Sequence, residues 1–276
     1  MKLGIFAKTF AGTDPHPVLR HVADAGYAFA QYNMACSGLP SMPDEIDAAQ
    51  AQAVANAAGQ SGVEIAAVSG TYNMIHPDRA EREAGHRRLA VIAGRCKAMN
   101  TRLITLCTGT RDPHDQWKEH ADNDTPEAWR DLVDAMETVI AIADRHDVDL
   151  GIEPELANVV NSAEKARRLI DEMQSPRLKI VLDPANLLEK ATTAEQRDIV
   201  SAGIELLADR IVMAHAKDRN ADGSFATAGK GVLDYPHYLG RLKAIGFHGS
   251  LVAHGLSASE AAGVADFLKT ALAQTR

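Results

Sequence analysis

The chain of 276 residues is 46% apolar and 24% charged, a balance that excludes an intrinsically disordered polymer and supplies enough apolar surface for a full core. Its formal net charge is -8, and Lys and Arg are scattered rather than gathered into a stripe, which argues against a nucleic-acid partner. No apolar run approaches the roughly 20 residues that span a bilayer, so no membrane partner is expected either.

The opening Met-Lys-Leu-Gly-Ile-Phe-Ala-Lys has too short an apolar run for a secretory signal and reads as a first strand over Leu3 to Ala7. From Asp14 to Ala25, Val18, Leu19 and Val22 recur at helical spacing until Gly26 stops the segment. Tyr27 to Asn33 is the second strand, and the Ala-rich stretch from Asp44 to Gln60 is a helix that Gly62 ends. Val63 to Ser69 is the third strand; its loop begins at Gly70 and ends at His76, Pro77 and Asp78, before a helix over Arg79 to Met99. Arg102 to Cys107 is the fourth, and the long polar loop from Thr108 to Asp124 leads to a helix over Pro126 to His146, with Thr125 as its cap. Asp149 to Glu153 is the fifth strand, and Ser162 caps the next helix without a reciprocal capping box, because Lys165 stands three residues on. Leu178 to Leu182 is the sixth, the seventh ends at His215, and Ser250 to Ala253 is the eighth; helices over Thr193 to Ala208, Tyr235 to Ile245 and Ser259 to Ala273 complete the alternation. Cys36, Cys96 and Cys107 are odd in number and form no CxxC pair, so they read as reduced thiols of a cytoplasmic protein.

Eight apolar runs each followed by a helical segment leave a closed barrel or an open doubly wound sheet. The barrel is preferred, as a single (β/α)8 TIM barrel domain over residues 1–276, because the turn after the first strand offers only Gly12 and no G-x-G-x-x-G. Chemistry in such a barrel gathers at the C-terminal ends of the strands, and four consecutive strands end in Glu153, Asp183, His215 and His254. Two carboxylates and two imidazoles that converge make a divalent-cation site, with manganese or zinc favoured and magnesium, iron or cobalt behind them. The alternative for the set is four independent strand-end polar residues meeting solvent, and for His215 taken alone it is a satisfied buried histidine.

These segments resemble a known family. Glu-Pro after strand five, Leu-Asp-Pro-Ala-Asn on strand six, His-Ala-Lys-Asp on strand seven and Gly-Lys-Gly-Val-Leu-Asp-Tyr from Gly229 to Tyr235 are similar to the xylose-isomerase-like TIM barrels, which include sugar epimerases, sugar phosphate isomerases and apurinic endonucleases of the endonuclease IV type. In the epimerase branch the resemblance implies a metal held at the positions of Glu153, Asp183 and His215, with a fourth ligand from strand eight. That fourth place is usually a glutamate that also moves a proton; here it is His254. Three places after the strand-six aspartate the family commonly has histidine, and here it is Asn186, an amide suited to orienting a hydroxyl. Alignment on Gly229, Lys230 and Gly231 puts Gly223 and Phe225 where the endonucleases carry their Asp-x-His pair, and the region of Cys107 lacks their strand-four histidine. DNA repair is therefore not expected.

The expected activity is a metal-dependent isomerase or epimerase of a sugar or sugar phosphate, moving a proton next to a carbonyl through a metal-stabilised enediolate, with a small-molecule carbohydrate as partner. Glu153, Glu155, His254 and Lys217 are the candidate catalytic residues; His76, Asn186, Lys217 and Asn33 are candidate substrate contacts, with His16 and Tyr72 behind them. Lys217 and Asp218 are read either as orienting a substrate oxyanion and the loop or as an ion pair at a loop start. His114, His120 and Trp117 on the long loop suit a lid or, alternatively, the interface of a homo-oligomer. A lyase or dehydratase on a related polyol or keto acid is the alternative reaction, and a non-catalytic barrel that binds a sugar or partner is the third reading.

Overall fold

A computed structural model describes residues 1–275. Eight parallel strands close a barrel: β1 (Lys2–Phe6), β2 (Phe29–Tyr32), β3 (Glu64–Ser69), β4 (Leu103–Leu106), β5 (Asp149–Ile152), β6 (Leu178–Leu182), β7 (Ile211–Ala216) and, after the short antiparallel pair β8 (Asp218–Arg219) and β9 (Phe225–Ala226), β10 (Ser250–Ala253). Around them run α1 (Pro15–Asp24), α2 (Ala48–Ser61), α3 (Arg79–Cys96), α4 (Pro126–His146), α5 (Ala163–Met173), α6 (Thr193–Leu207), α7 (Tyr235–Ala244) and α8 (Ala261–Gln274). Parallel neighbours cannot be joined by tight turns, so each crossover carries a helix over the barrel's outer face. The ring closes where Lys2 to Ile5 of β1 pair with Ser250 to Ala253 of β10. This is the TIM barrel the alternation predicts.

Local chemistry sets the helix starts. Asp14, Asp78, Thr125 and Ser162 each accept a backbone N–H in the first turn, and Asp47 and Thr192 form full capping boxes with Gln50 and Glu195. The Asp47 box corrects the expected helix from Asp44, because the helix begins only at Ala48, one residue past its cap. The β8–β9 pair has no counterpart in the sequence reading, since strands of two residues leave no alternation to detect.

The barrel interior is layered. Ala67, Val181, Met213 and Val252 form a small apolar plug, and each lies two residues before Ser69, Asp183, His215 and His254 respectively. Strand side chains alternate, so these four polar residues take the same side of their strands one layer nearer the C-terminal end. Gly151 precedes Glu153 by the same two residues, and a Cβ there would lie 2.8 Å from Val181 Cγ2, so the missing side chain leaves room for Val181. Among the described residues, no helix is long and apolar enough to cross a membrane.

Candidate active site

Glu153, Asp183 and His215 offer one ligand atom each within 4.8 Å of one another, forming the metal-competent group found among the described residues. His215 Nδ1 lies 3.3 Å from Glu153 Oε1 and 3.6 Å from Asp183 Oδ2. Both His215 and Asp183 are buried completely, yet Nδ1 and Oδ2 have no hydrogen-bond partner. Held by these long ion-pair contacts and by no hydrogen bond, the two atoms are under-satisfied for groups so deeply buried. A mixed carboxylate and imidazole set suits a divalent transition metal, and the orphaned atoms fit such an ion.

The electrostatics agree with that donor set. Burial alone would lower the His215 imidazole, but the carboxylates of Glu153 and Asp183 outweigh it and hold it above the ordinary histidine range. Burial pushes Asp183 the other way, and His215 with Lys217 overcomes it, keeping that carboxyl below the ordinary range. Without a cation, a proton on His215 balances the carboxylates.

The cluster opens into a cavity of about 380 Å³. Asn186, fully buried, donates its Nδ2 proton to Glu153 Oε1 at 2.8 Å and accepts from Lys217 Nζ at 3.2 Å, so one amide spaces a carboxylate from an ammonium. Lys217 Nζ also lies 3.4 Å from the centroid of the Phe225 ring. Glu155 shares the cavity, and its carboxyl is raised to about 7 by burial and then by the negative charge of Glu153.

A family model described as xylose isomerase-like TIM barrel matches residues 19–270. The chain belongs to that family. Among curated protein sequences none matches it. Similar solved structures include the 3-keto-D-glucoside 4-epimerase of E. coli (15% identity, TM-score 0.77, 98% of this chain and 99% of that one). An L-ribulose 3-epimerase aligns with 16% identity and a TM-score of 0.79 over 100% of this chain and 95% of that one. A protein titled a probable 3-DHS dehydratase, from Bacillus anthracis, aligns with 13% identity and a TM-score of 0.76 over 98% of this chain and 99% of that one. At such identities the likeness is one of fold.

Within this xylose isomerase-like barrel the expected residues separate. His254 does not join the three-residue group: its ring stacks on His215 at 5.2 Å and 8° and on Phe6 at 5.2 Å and 29°, while its edge lines the cavity. Burial first, and the charge of His215 second, lower its pKa to about 4. It is neutral near pH 7 and a weak proton acceptor. Asn33 lines the cavity while its side chain caps the next turn through Ala35 N–H. His76 lies outside the cavity: its Nε2 bonds the Pro113 carbonyl at 3.1 Å and its Nδ1 accepts from Asp78 N–H, which ties two loops together. His16 is exposed in the first turn of α1, and Tyr72 packs in the core against His86. His120 caps a 3-10 turn and His114 faces an outer pocket, whereas Trp117 reaches the cavity rim.

Lys217 and Asp218 do not form an ion pair. Asp218 is buried and accepts backbone N–H bonds from Arg219, Gly229, Gly231 and Leu233, so the Gly-Lys-Gly loop is pinned to the end of β7. A Cβ at Gly231 would overlap the Arg219 carbonyl and the Asp218 carboxylate, which is why that position carries none. The sequence reading missed Gln31, Thr105, Ser69, Thr71 and Lys8, which also line the cavity. Each stands on or just after a strand on the opposite half of the ring, where single polar residues gave no motif.

Proposed function

We propose that the chain is a metal-dependent isomerase or epimerase of a small sugar or sugar phosphate. The observation that carries this reading is the Glu153, Asp183 and His215 cluster, with Asp183 and His215 fully buried and Glu153 reaching the wall of a cavity lined by polar and aromatic side chains. A divalent cation held by those three side chains, manganese or zinc first, supplies Lewis-acid polarisation of a carbonyl and its neighbouring hydroxyl. The hydroxyl and amide groups of Asn33, Ser41, Ser69, Thr71 and Thr105 suit a polyhydroxylated ligand, and the volume suits one of monosaccharide size.

The chain's own residues divide the remaining work. Glu155, titrating about 7, is matched to taking a carbon-bound proton beside a carbonyl and returning it. Lys217 offsets the negative charge that develops on oxygen as that proton leaves. Asn186 holds Glu153 and Lys217 apart so that the carboxylate stays with the cation site and the ammonium faces the ligand. Phe6, Phe225 and Trp117 supply apolar walls and restrict water.

A dehydratase is the second reading, favoured by one observation: the position after β10, where the family resemblance implies a proton-moving glutamate, carries His254, so a symmetric two-carboxylate epimerisation lacks its second carboxylate there. Metal-supplemented protein incubated in deuterated water with a panel of ketoses, ketose phosphates and sugar-derived keto acids separates the readings by NMR. Deuterium entering a product of unchanged composition supports isomerisation; loss of water supports the second reading. If no member of the panel exchanges a proton or reacts, the enzymatic proposal fails.

A further inference from the structure

We propose that Gln31 is a positioning residue that selects the tautomer of His215 and aims its Nδ1 at the cation site. The inference rests on the metal reading above and concerns a side chain on the far side of the barrel from the cluster.

Gln31 is the third of the four residues of β2, and the pairing of β2 with β3 shifts register between Ala30 and Gln31. A local irregularity of this kind re-aims the side chain that follows it. Here the amide, only 4% exposed, reaches across the barrel. Its Oε1 lies 2.9 Å from His215 Nε2, and its own Nε2 donates to Thr105 Oγ1 at 3.1 Å on β4. In this arrangement the NH2 end meets the Thr105 hydroxyl and the carbonyl end faces the imidazole.

A carbonyl oxygen only accepts, so His215 Nε2 must carry a proton to complete that bond. In the neutral ring the lone pair is then left on Nδ1, the atom that lies 3.3 Å from Glu153 Oε1 and 3.6 Å from Asp183 Oδ2. The opposite tautomer would point an N–H at the position a cation must occupy. A hydrogen bond on the second ring nitrogen of a metal-bound histidine both fixes the ring and raises its basicity, and losing it typically weakens metal binding about 10–100-fold. The chain of contact from Thr105 through Gln31 to His215 joins β4, β2 and β7, so ring orientation is held by the rigid barrel rather than by a loop.

The test compares wild type with Gln31→Met, which keeps size and removes the acceptor, and Gln31→Glu, which keeps an acceptor at the same place. Zinc and manganese ions alone are titrated into each protein by calorimetry, with circular dichroism and the metal-free melting temperature as the folding check. The expected result is a loss of about 10–100-fold in metal affinity for Gln31→Met and recovery to within a few-fold of wild type for Gln31→Glu. Nitrogen-15 NMR of the zinc-loaded wild type should show His215 protonated at Nε2. Wild-type affinity in a folded Gln31→Met, equal losses in both variants, or His215 protonated at Nδ1 would overturn the positioning role alone. If wild type binds neither cation, the metal reading itself falls and takes this role with it.

Discussion

Asn186 shows how a single side chain sets the character of the site. The sequence points to it as a substrate contact, and it does line the cavity, where its amide is also shared between Glu153 and Lys217. Asn186→Leu leaves a carboxylate and a buried ammonium without that link, so a stability loss of about 1–3 kcal/mol is expected in urea denaturation, together with weaker cation binding. An unchanged unfolding midpoint would show the bridge to be energetically idle. His215 supports a prediction of different kind. Its imidazole is held above the ordinary histidine range in the cation-free protein, so it is protonated at pH 7 and must lose that proton when a cation binds. Calorimetry in two buffers of different ionisation enthalpy should report release of about one proton per cation, and affinity should rise as pH rises through this titration. Release of none would contradict the assignment of His215 as ligand. The strand-end residues were legible because apolar runs stop abruptly on them. Gln31 was not, because its partner lies 184 positions away and nothing local distinguishes it from any polar residue within a strand.

Elements were legible wherever periodicity and capping agreed. The eight strands and their helices follow from apolar runs punctuated by Asp, Ser and Thr caps and by Gly stops, and misplacement is confined to ends such as Asp44 to Asp47. The segment after β7 was harder. Lys217 and Asp218 read either as orienting a substrate oxyanion and the loop or as an ion pair, whereas only Lys217 lines the cavity and Asp218 staples Gly229, Gly231 and Leu233. Asp218→Ala should therefore cost about 2–4 kcal/mol of folding stability, since several buried N–H groups lose their acceptor together. Gly231→Ala should also destabilise, because the added methyl meets the Arg219 carbonyl and the Asp218 carboxylate. Thermal unfolding of both variants checks this; melting temperatures equal to wild type would show that the loop is anchored elsewhere. Lys230 is a permissive contrast: its own side chain is mostly exposed, and the partly buried Glu260 that it reaches is also held by Thr227 and Ser257, so losing the ammonium should cost little.

For the molecule as a whole, the closed barrel decides which groups are available to chemistry. Cys36 and Cys96 are buried and their thiols are pushed up to about 11 and about 12, chiefly by burial, while Cys107 at the cavity wall is also raised well above its usual value. All three should resist a thiol reagent near pH 7 in the folded protein and react together on unfolding. Rapid labelling of one cysteine in the native state would place a reactive thiolate in the site and change its chemistry. The same closure brings residues from β5, β6 and β7 to one floor, a convergence visible in the sequence only as four strand ends with polar residues. It also sets His254 apart from the three-residue cluster by stacking it on His215, a distinction that spacing along the chain does not carry.

The central claim is that Glu153, Asp183 and His215 together hold one divalent cation. Equilibrium titration of manganese and zinc, combined with elemental analysis of the purified protein, tests it directly with wild type and the variants Glu153→Gln, Asp183→Asn and His215→Ala. One cation per chain in wild type, and at least ~10-fold weaker binding in each folded variant, is the predicted result. Undiminished stoichiometric binding in all three variants, or no binding by the wild type, would contradict it.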